Sequence, residues 1–185
     1  TEVGIEVGTE IMWNHASRLN IPKMLIINGL DREHVNFDQI LSQAKRRFGN
    51  NVFPMQLPVN PGPGYNKNVD VLRTELITYQ QDGSGSMTES ELPDDLKQKV
   101  NKLHEELIEY VAESDDSLLE RFFDKGSLTE EEMRNGIHQA IQDQTFIPLF
   151  CTSASSNIGV ARVCDFISKY GSSPDDRKTV KALGP

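Results

Sequence analysis

Two polar loops, each directly following an apolar run, carry residue types that can read a nucleobase. Asn28 and Asp31 follow the first run, and Ser153 and Ala154 follow the second. A carboxylate can accept hydrogen bonds from both N1–H and the exocyclic amine of guanine, a charge-assisted pair that adenine cannot supply. The backbone amide of Ala154 can donate to guanine O6, Asn28 can approach the purine edge, and the Ser153 hydroxyl can hold the second loop. These four residues together indicate guanine recognition.

Each loop alone has a simpler interpretation. Asn-Gly and Asp are common turn residues, so residues 28–31 alone predict a turn. Residues 153–156 alone predict the entry into a helix. The carboxyl ends of parallel strands are where an α/β sheet binds its ligand, so the pair favours the guanine interpretation. We predict no catalytic residue and no metal site, because the histidines are scattered and the acidic pairs suit the first turns of helices.

The elements around the two loops predict α/β layering. The runs 24–27 and 146–151 are continuous and apolar, as is typical of strands buried on both faces. Thr9 is the expected N-cap of the first helix, and Thr129 is expected to open a later helix with a capping box. Between the two runs the pattern changes to short strands followed by helices, with strands predicted at 52–59, 69–72 and 75–80.

The composition limits the partners and the compartment. With 28 acidic and 19 basic residues the formal charge is -9. This argues against strong direct binding of nucleic acid, which needs Lys and Arg to neutralise phosphates. No apolar run is long enough to cross a bilayer. Cys151 and Cys164 lie among apolar neighbours and predict buried free thiols, and we expect a cytosolic protein.

Longer stretches of the sequence resemble one family, elongation factor G. The resemblance covers nearly the whole chain, from just after that factor's second switch region to the end of its G domain. The most telling parts are Gln56-Leu57-Pro58 and Leu128-Thr129-Glu130-Glu131-Glu132. Further parts that match in the same order are residues 4–13, 21–22, 28–32, 53–55, 118–122 and 151–154.

The resemblance implies a partial P-loop GTPase fold, a three-layer α/β arrangement of parallel strands with an inserted α+β subdomain. It implies a GTP cofactor, with magnesium in the intact protein, and a role on the ribosome in translocation. The family's Asn-Lys-x-Asp motif corresponds to residues 28–31, and its second base loop corresponds to Ser153 and Ala154. The predicted organisation is G domain in 1–50, the inserted subdomain in 51–143, G domain in 144–171 and a linker in 172–185.

The sequence departs from the family at two places that matter for the nucleotide. The family's lysine, which covers one face of the purine, is Gly29 here, and Ser155 and Ser156 replace bulkier residues after Ser-Ala. The motif G-x-x-x-x-G-K-[ST], which binds phosphate, does not occur in the chain. We therefore expect weak or absent GTP binding and no GTP hydrolysis by these 185 residues alone.

The departure at Gly29 leaves an alternative function open. The chain would then be an interaction module of a divergent factor whose guanine site is degenerate. In the family the inserted subdomain meets the ribosomal stalk protein, so the resemblance implies the ribosome and that protein as partners in either case.

Overall fold

Two β-sheets and six α-helices make up the part of the chain that the structure describes, residues 4–176 of a computed structural model. The strands are β1 (Leu25–Asn28), β2 (Val52–Pro54), β3 (Gln56–Pro58), β4 (Lys67–Asp70), β5 (Glu75–Tyr79), β6 (Met87–Glu91) and β7 (Ile147–Thr152). The helices are α1 (Val7–Arg18), α2 (Phe37–Phe48), α3 (Asp94–Ala112), α4 (Asp116–Lys125), α5 (Glu130–Gln142) and α6 (Val160–Tyr170), followed by a 3-10 turn at Pro174–Asp176. None of the helices in these residues is long and apolar enough to cross a bilayer.

The first sheet is parallel and has the order β1-β7-β2. Its central strand β7 is buried along its whole length, as the continuous apolar run predicts. Asn28 lies opposite Thr152 in the register of β1 and β7, so both strands end at the same edge of the sheet. The first polar loop and the second polar loop therefore begin side by side.

The second sheet is antiparallel, has the order β3-β4-β5-β6, and leads into the helices α3 to α5. The predicted fold class, α/β with parallel strands and an inserted region of strands and helices, is confirmed. The capping box at Thr129 is also confirmed, since its hydroxyl accepts from the Glu132 amide and the Glu132 side chain accepts from the Thr129 amide. The residue bounds assigned to the domains stay a prediction.

Several elements differ from their predicted form. The strand predicted at 52–59 is two strands that belong to different sheets, because the chain passes from β2 to β3 at Met55. Strand β6 has only polar residues apart from Met87, so its hydrophobic pattern did not reveal it. Helix α1 begins at Val7 with Glu6 as its N-cap, and not at Thr9.

Burial corrects two further expectations. The run around β1 is not buried on both faces, because β1 is an edge strand and the Ile26 side chain is 47% exposed. Of the two thiols, Cys151 is buried and Cys164 is exposed. Burial raises the pKa of the Cys151 thiol, so that thiol stays protonated. The predicted linker extends past residue 176, and residues 177–185 lie outside the described part of the chain.

Candidate functional site

Asn28 joins the two polar loops where the parallel strands β1 and β7 end at their C-termini. Its Oδ1 accepts a hydrogen bond from the Ala154 amide at 2.9 Å and another from the Thr152 hydroxyl at 3.2 Å. The Leu30 amide adds a backbone link by donating to the Thr152 carbonyl at 3.2 Å. The two loops therefore form one connected unit.

The first loop turns tightly between Asn28 and Asp31. Gly29 has φ of +79°, a left-handed conformation that glycine adopts without steric cost. The Arg32 amide closes the turn by donating to the Gly29 carbonyl at 3.2 Å. The Leu30 side chain is fully buried and anchors the turn in the core. This geometry points the Asp31 carboxyl toward the second loop.

Asp31 has one carboxylate oxygen in use and one that is free among the described residues. Its Oδ2 accepts from the hydroxyls of Ser155 at 3.5 Å and Ser156 at 3.4 Å. Its Oδ1 is buried and has no hydrogen-bond partner within residues 4–176. Burial alone would raise the pKa of this carboxyl, but the nearby serine hydroxyls of the second loop, Ser153 first, and the backbone amide of Asp31 together lower it. Asp31 is thus an ionised acceptor with capacity for another donor.

The second loop is a closed turn between Ser153 and Ile158. These two residues exchange backbone hydrogen bonds of 3.0 and 2.9 Å, and the Asn157 amide donates to the Ala154 carbonyl at 3.2 Å. The Ser153 side chain is buried, and its hydroxyl lies 3.2 Å from that of Ser155. The turn therefore holds the backbone amide of the exposed residue Ala154 in a fixed position against Asn28.

The structure brings all four predicted residues into one cluster, while their role in binding a base stays a prediction. Sequence reasoning did not identify the hydroxyls of Thr152, Ser155 and Ser156 as contacts of Asn28 and Asp31. The run of hydroxyl residues around Ala154 is the signal that could have found them. Such residues offer short-range donors to a nearby carboxylate.

A second polar cluster lies where α6 meets the antiparallel sheet. The Arg162 guanidinium is only 6% exposed; it contacts the Glu89 carboxylate and lies 3.1 Å from that of Glu75. Burial raises the pKa of Glu75, and the neighbouring Glu89 raises it further. Arg162 also lines a small cavity of about 40 Å³. We assign this cluster to holding α6 against the antiparallel sheet.

No group of three or more His, Cys, Asp or Glu side chains within residues 4–176 is placed to hold a metal ion. The acceptors and donors at the two loops instead suit a neutral polar ring with a donor edge and a carbonyl. A guanine base has both.

The comparisons with known proteins agree with the fold. The sequence pattern of the family described as elongation factor Tu GTP binding domain matches residues 1–173. Among solved structures, a protein from Thermus thermophilus superposes with a TM-score of 0.85 at 27% sequence identity. The match covers 95% of this chain and 26% of that protein, so this chain spans about a quarter of its length.

The parallel sheet with its inserted antiparallel region is therefore a P-loop GTPase-like fold, and proteins of the matching family bind guanine nucleotides. The chain belongs to the elongation factor Tu GTP-binding domain family of translational GTPases.

Proposed function

We propose that the chain is the guanine-recognition half of the GTP-binding domain of a ribosome-associated translational GTPase that resembles elongation factor G. The full-length protein would act in the cytosol at the translocation step of protein synthesis. Asp31 would accept from guanine N1–H and the exocyclic amine, and the Ala154 amide would donate to O6. Asn28 and Ser153 would hold the two loops in register.

The observation that carries this proposal is the convergence of the two loops. The Ala154 amide lies 2.9 Å from Asn28 Oδ1, and the Asp31 carboxyl lies within hydrogen-bond distance of two serines of the second loop. The buried Asp31 Oδ1 without a partner among the described residues is the acceptor that a guanine donor would satisfy. An unsatisfied buried acceptor costs free energy that such a ligand removes.

Phosphate and magnesium would be held by residues outside this chain. The open β1 edge, with Ile26 exposed, supports a missing neighbour strand. A groove of about 260 Å³ lies between α1, α2 and β1, lined mainly by apolar residues. Other strands of a larger sheet would cover both features. The proposed organisation keeps residues 51–143 as the inserted subdomain between two segments of the G domain.

The test of guanine reading is Asp31→Asn in the full-length protein. An amide in place of the carboxylate loses the charge-assisted pair with guanine, which is worth about 1.5–3 kcal/mol, so GDP affinity should fall roughly 10- to 100-fold. Affinity for the xanthine nucleotide should rise, because its 2-oxo group accepts from the new amide. Asp38→Asn is the control, since it removes the same charge from the exposed first turn of α2. Unchanged binding of both nucleotides would reject the proposal.

Restoring the family's lysine is a second test. Covering a base face is worth about 1–3 kcal/mol, by analogy with base stacking on an aromatic ring. A lysine at position 29 would have to adopt the φ of +79° that Gly29 has. That conformation costs about 1–2 kcal/mol of stability for an L-residue, but the cost is present in both the free and the bound protein. We therefore expect Gly29→Lys to lower stability and to raise GDP affinity roughly tenfold.

One observation favours the alternative function, an interaction module that binds the ribosome or its stalk protein. The groups that would read guanine already have partners within the chain: Ala154 donates to Asn28, and Asp31 Oδ2 accepts from Ser155 and Ser156. Guanine would have to displace these contacts. GDP titration of the full-length protein separates the two functions, because a degenerate site would give no saturable binding.

A further inference from the structure

The antiparallel sheet contacts both polar loops of the proposed guanine site. The Gly62 amide, in the loop between β3 and β4, donates to the Leu30 carbonyl at 2.7 Å. The buried Asn68 side chain on β4 donates to the Cys151 carbonyl at 3.2 Å, near the end of β7. These contacts tie the inserted region to the strand ends from which the two loops leave.

A third contact reaches the second loop itself. The turn between β5 and β6, here called the hairpin tip (residues 80–86), is closed by the Gln80 amide donating to the Ser86 carbonyl at 2.8 Å. The Asn157 side chain donates to the Gly83 carbonyl of this tip at 3.2 Å. Asn157 has φ of +53° and occupies the same turn as Ala154, whose carbonyl accepts from the Asn157 amide.

The hairpin tip packs against Asn157 so closely that one added methyl group would collide with the Asn157 side chain. A Cβ added at Gly85 would lie 2.6 Å from Asn157 Nδ2, whereas a Cβ added at Gly83 would meet nothing within 4 Å. Both glycines have φ of +75°, so a side chain at either position carries similar backbone strain. The two positions therefore differ mainly in whether a side chain touches Asn157.

We propose that the hairpin tip positions the second loop, with Asn157 as the positioning residue that sets the direction of the Ala154 amide. The inference rests on the proposed guanine recognition and deepens it by naming a positioning residue for the loop that carries Ala154.

The experiment compares Gly85→Ala with Gly83→Ala in the full-length protein. In Gly85→Ala the added methyl group forces the side-chain amide of Asn157 to rotate away. This rotation breaks the hydrogen bond from that side chain to the Gly83 carbonyl. GDP affinity should then fall roughly 3- to 10-fold more in Gly85→Ala than in Gly83→Ala. The ratio should be the same for IDP, because inosine keeps the O6 that Ala154 reads and lacks only the amine that Asp31 reads. Equal affinities in the two variants overturn the proposal.

Asn157→Gly distinguishes positioning from a general loss of packing. Glycine accepts the φ of +53° and removes both the hydrogen bond and the collision. In the Asn157→Gly background, Gly85→Ala should therefore weaken GDP binding no more than Gly83→Ala does. An additional loss in that double variant would mean that Gly85→Ala acts by another route, and would reject Asn157 as the positioning residue.

Hydrogen exchange of the second loop keeps this inference separate from the proposed function. In the nucleotide-free protein, peptides that cover residues 150–158 should exchange faster in Gly85→Ala than in Gly83→Ala. If Asp31→Asn leaves GDP binding unchanged, guanine recognition fails, and the exchange rates alone decide whether the hairpin tip holds the loop. Equal exchange in the two variants rejects the positioning role.

Discussion

The two edges of the parallel sheet differ in how they are covered. At the β2 edge all three residues are buried, and the rings of Phe53, Tyr110 and Phe146 pack together with centroid distances of 5.6 to 6.1 Å. At the β1 edge only Ile27 is buried, and Ile26 is exposed. Helix α1 beside it has no buried residue and exposes Val7, Ile11 and Met12.

The covered β2 edge contributes to the stability of the fold, whereas the open β1 edge leaves a surface available for association. The inserted region covers the β2 edge with its own helices and sheet, so the core is continuous there. The β1 edge leaves backbone groups and apolar side chains without cover from the described residues. Unpaired strand edges and contiguous apolar patches are the surfaces by which chains associate. Substitutions at the covered edge should therefore affect stability, and those at the open edge should affect association.

The largest effect is expected from Phe146→Ala at the covered edge. The Phe146 side chain is 1% exposed and contacts both Phe53 and Tyr110, so its removal leaves a cavity that the strands cannot fill. The free energy of unfolding should fall by about 3–5 kcal/mol, as measured by urea denaturation. Phe123→Ala is the control, because that ring is 77% exposed and its loss should cost less than about 0.5 kcal/mol. Similar losses in both variants would contradict the described core.

The next largest loss of stability is expected from Arg162→Ala, which removes the cation between Glu75 and Glu89. Breaking a fully buried ion pair costs about 3–5 kcal/mol, and the partial exposure of both acids reduces this to about 2–3 kcal/mol. Arg73→Ala is the control: Arg73 lies 3.7 Å from the same two carboxylates but is exposed, so its loss should cost less than about 1 kcal/mol.

The pH dependence of the Arg162 effect has a definite sign. Glu75 has a raised pKa in the folded protein, so its ionised form is disfavoured there and takes up a proton as the pH falls toward 4.5. Removing Arg162 raises that pKa further. The stability difference between the wild-type protein and Arg162→Ala should therefore narrow between pH 7 and 4.5. A difference that stays constant or widens on acidification would contradict an electrostatic role for Arg162.

The sequence predicted the parallel core and the place of the two loops because those features depend on local patterns. Strand β7 is a continuous apolar run, and Thr129 and Glu132 have the spacing of a capping box. The exposure of Ile26 could not be predicted, since an apolar run does not reveal whether another strand covers it. Contacts between distant segments, such as those of Ser156 with Asp31, depend on tertiary packing and were likewise not predicted.

At the open edge the prediction concerns association. The 185-residue chain should self-associate as its concentration rises, and Ile26→Lys should reduce this, because a lysine on the β1 edge opposes strand pairing. Its stability should change by less than about 1 kcal/mol, since Ile26 is half exposed. Val59→Lys is the control, at an exposed apolar position just after β3. Sedimentation velocity measures the result, and a strictly monomeric wild-type chain at high concentration would count against an uncovered edge.

The smallest effect on stability is expected from a change at Glu132, in the first turn of α5. Hydrogen bonds from the Thr129 amide, with Arg121 and the Thr129 hydroxyl adding to them, lower the pKa of Glu132 to about 2. A carboxyl with a lowered pKa stabilises the fold above its unfolded value of 4.5 and loses that contribution as the pH falls toward 2. Glu132→Gln should therefore flatten the pH dependence of stability between 4.5 and 2. Glu131→Gln should leave that dependence unchanged, because it removes the same charge from a residue that makes no hydrogen bond to Thr129. Carboxyl titration by NMR measures the midpoint directly, and a midpoint for Glu132 near 4.5 would mean that the capping box does not hold the start of α5 in solution.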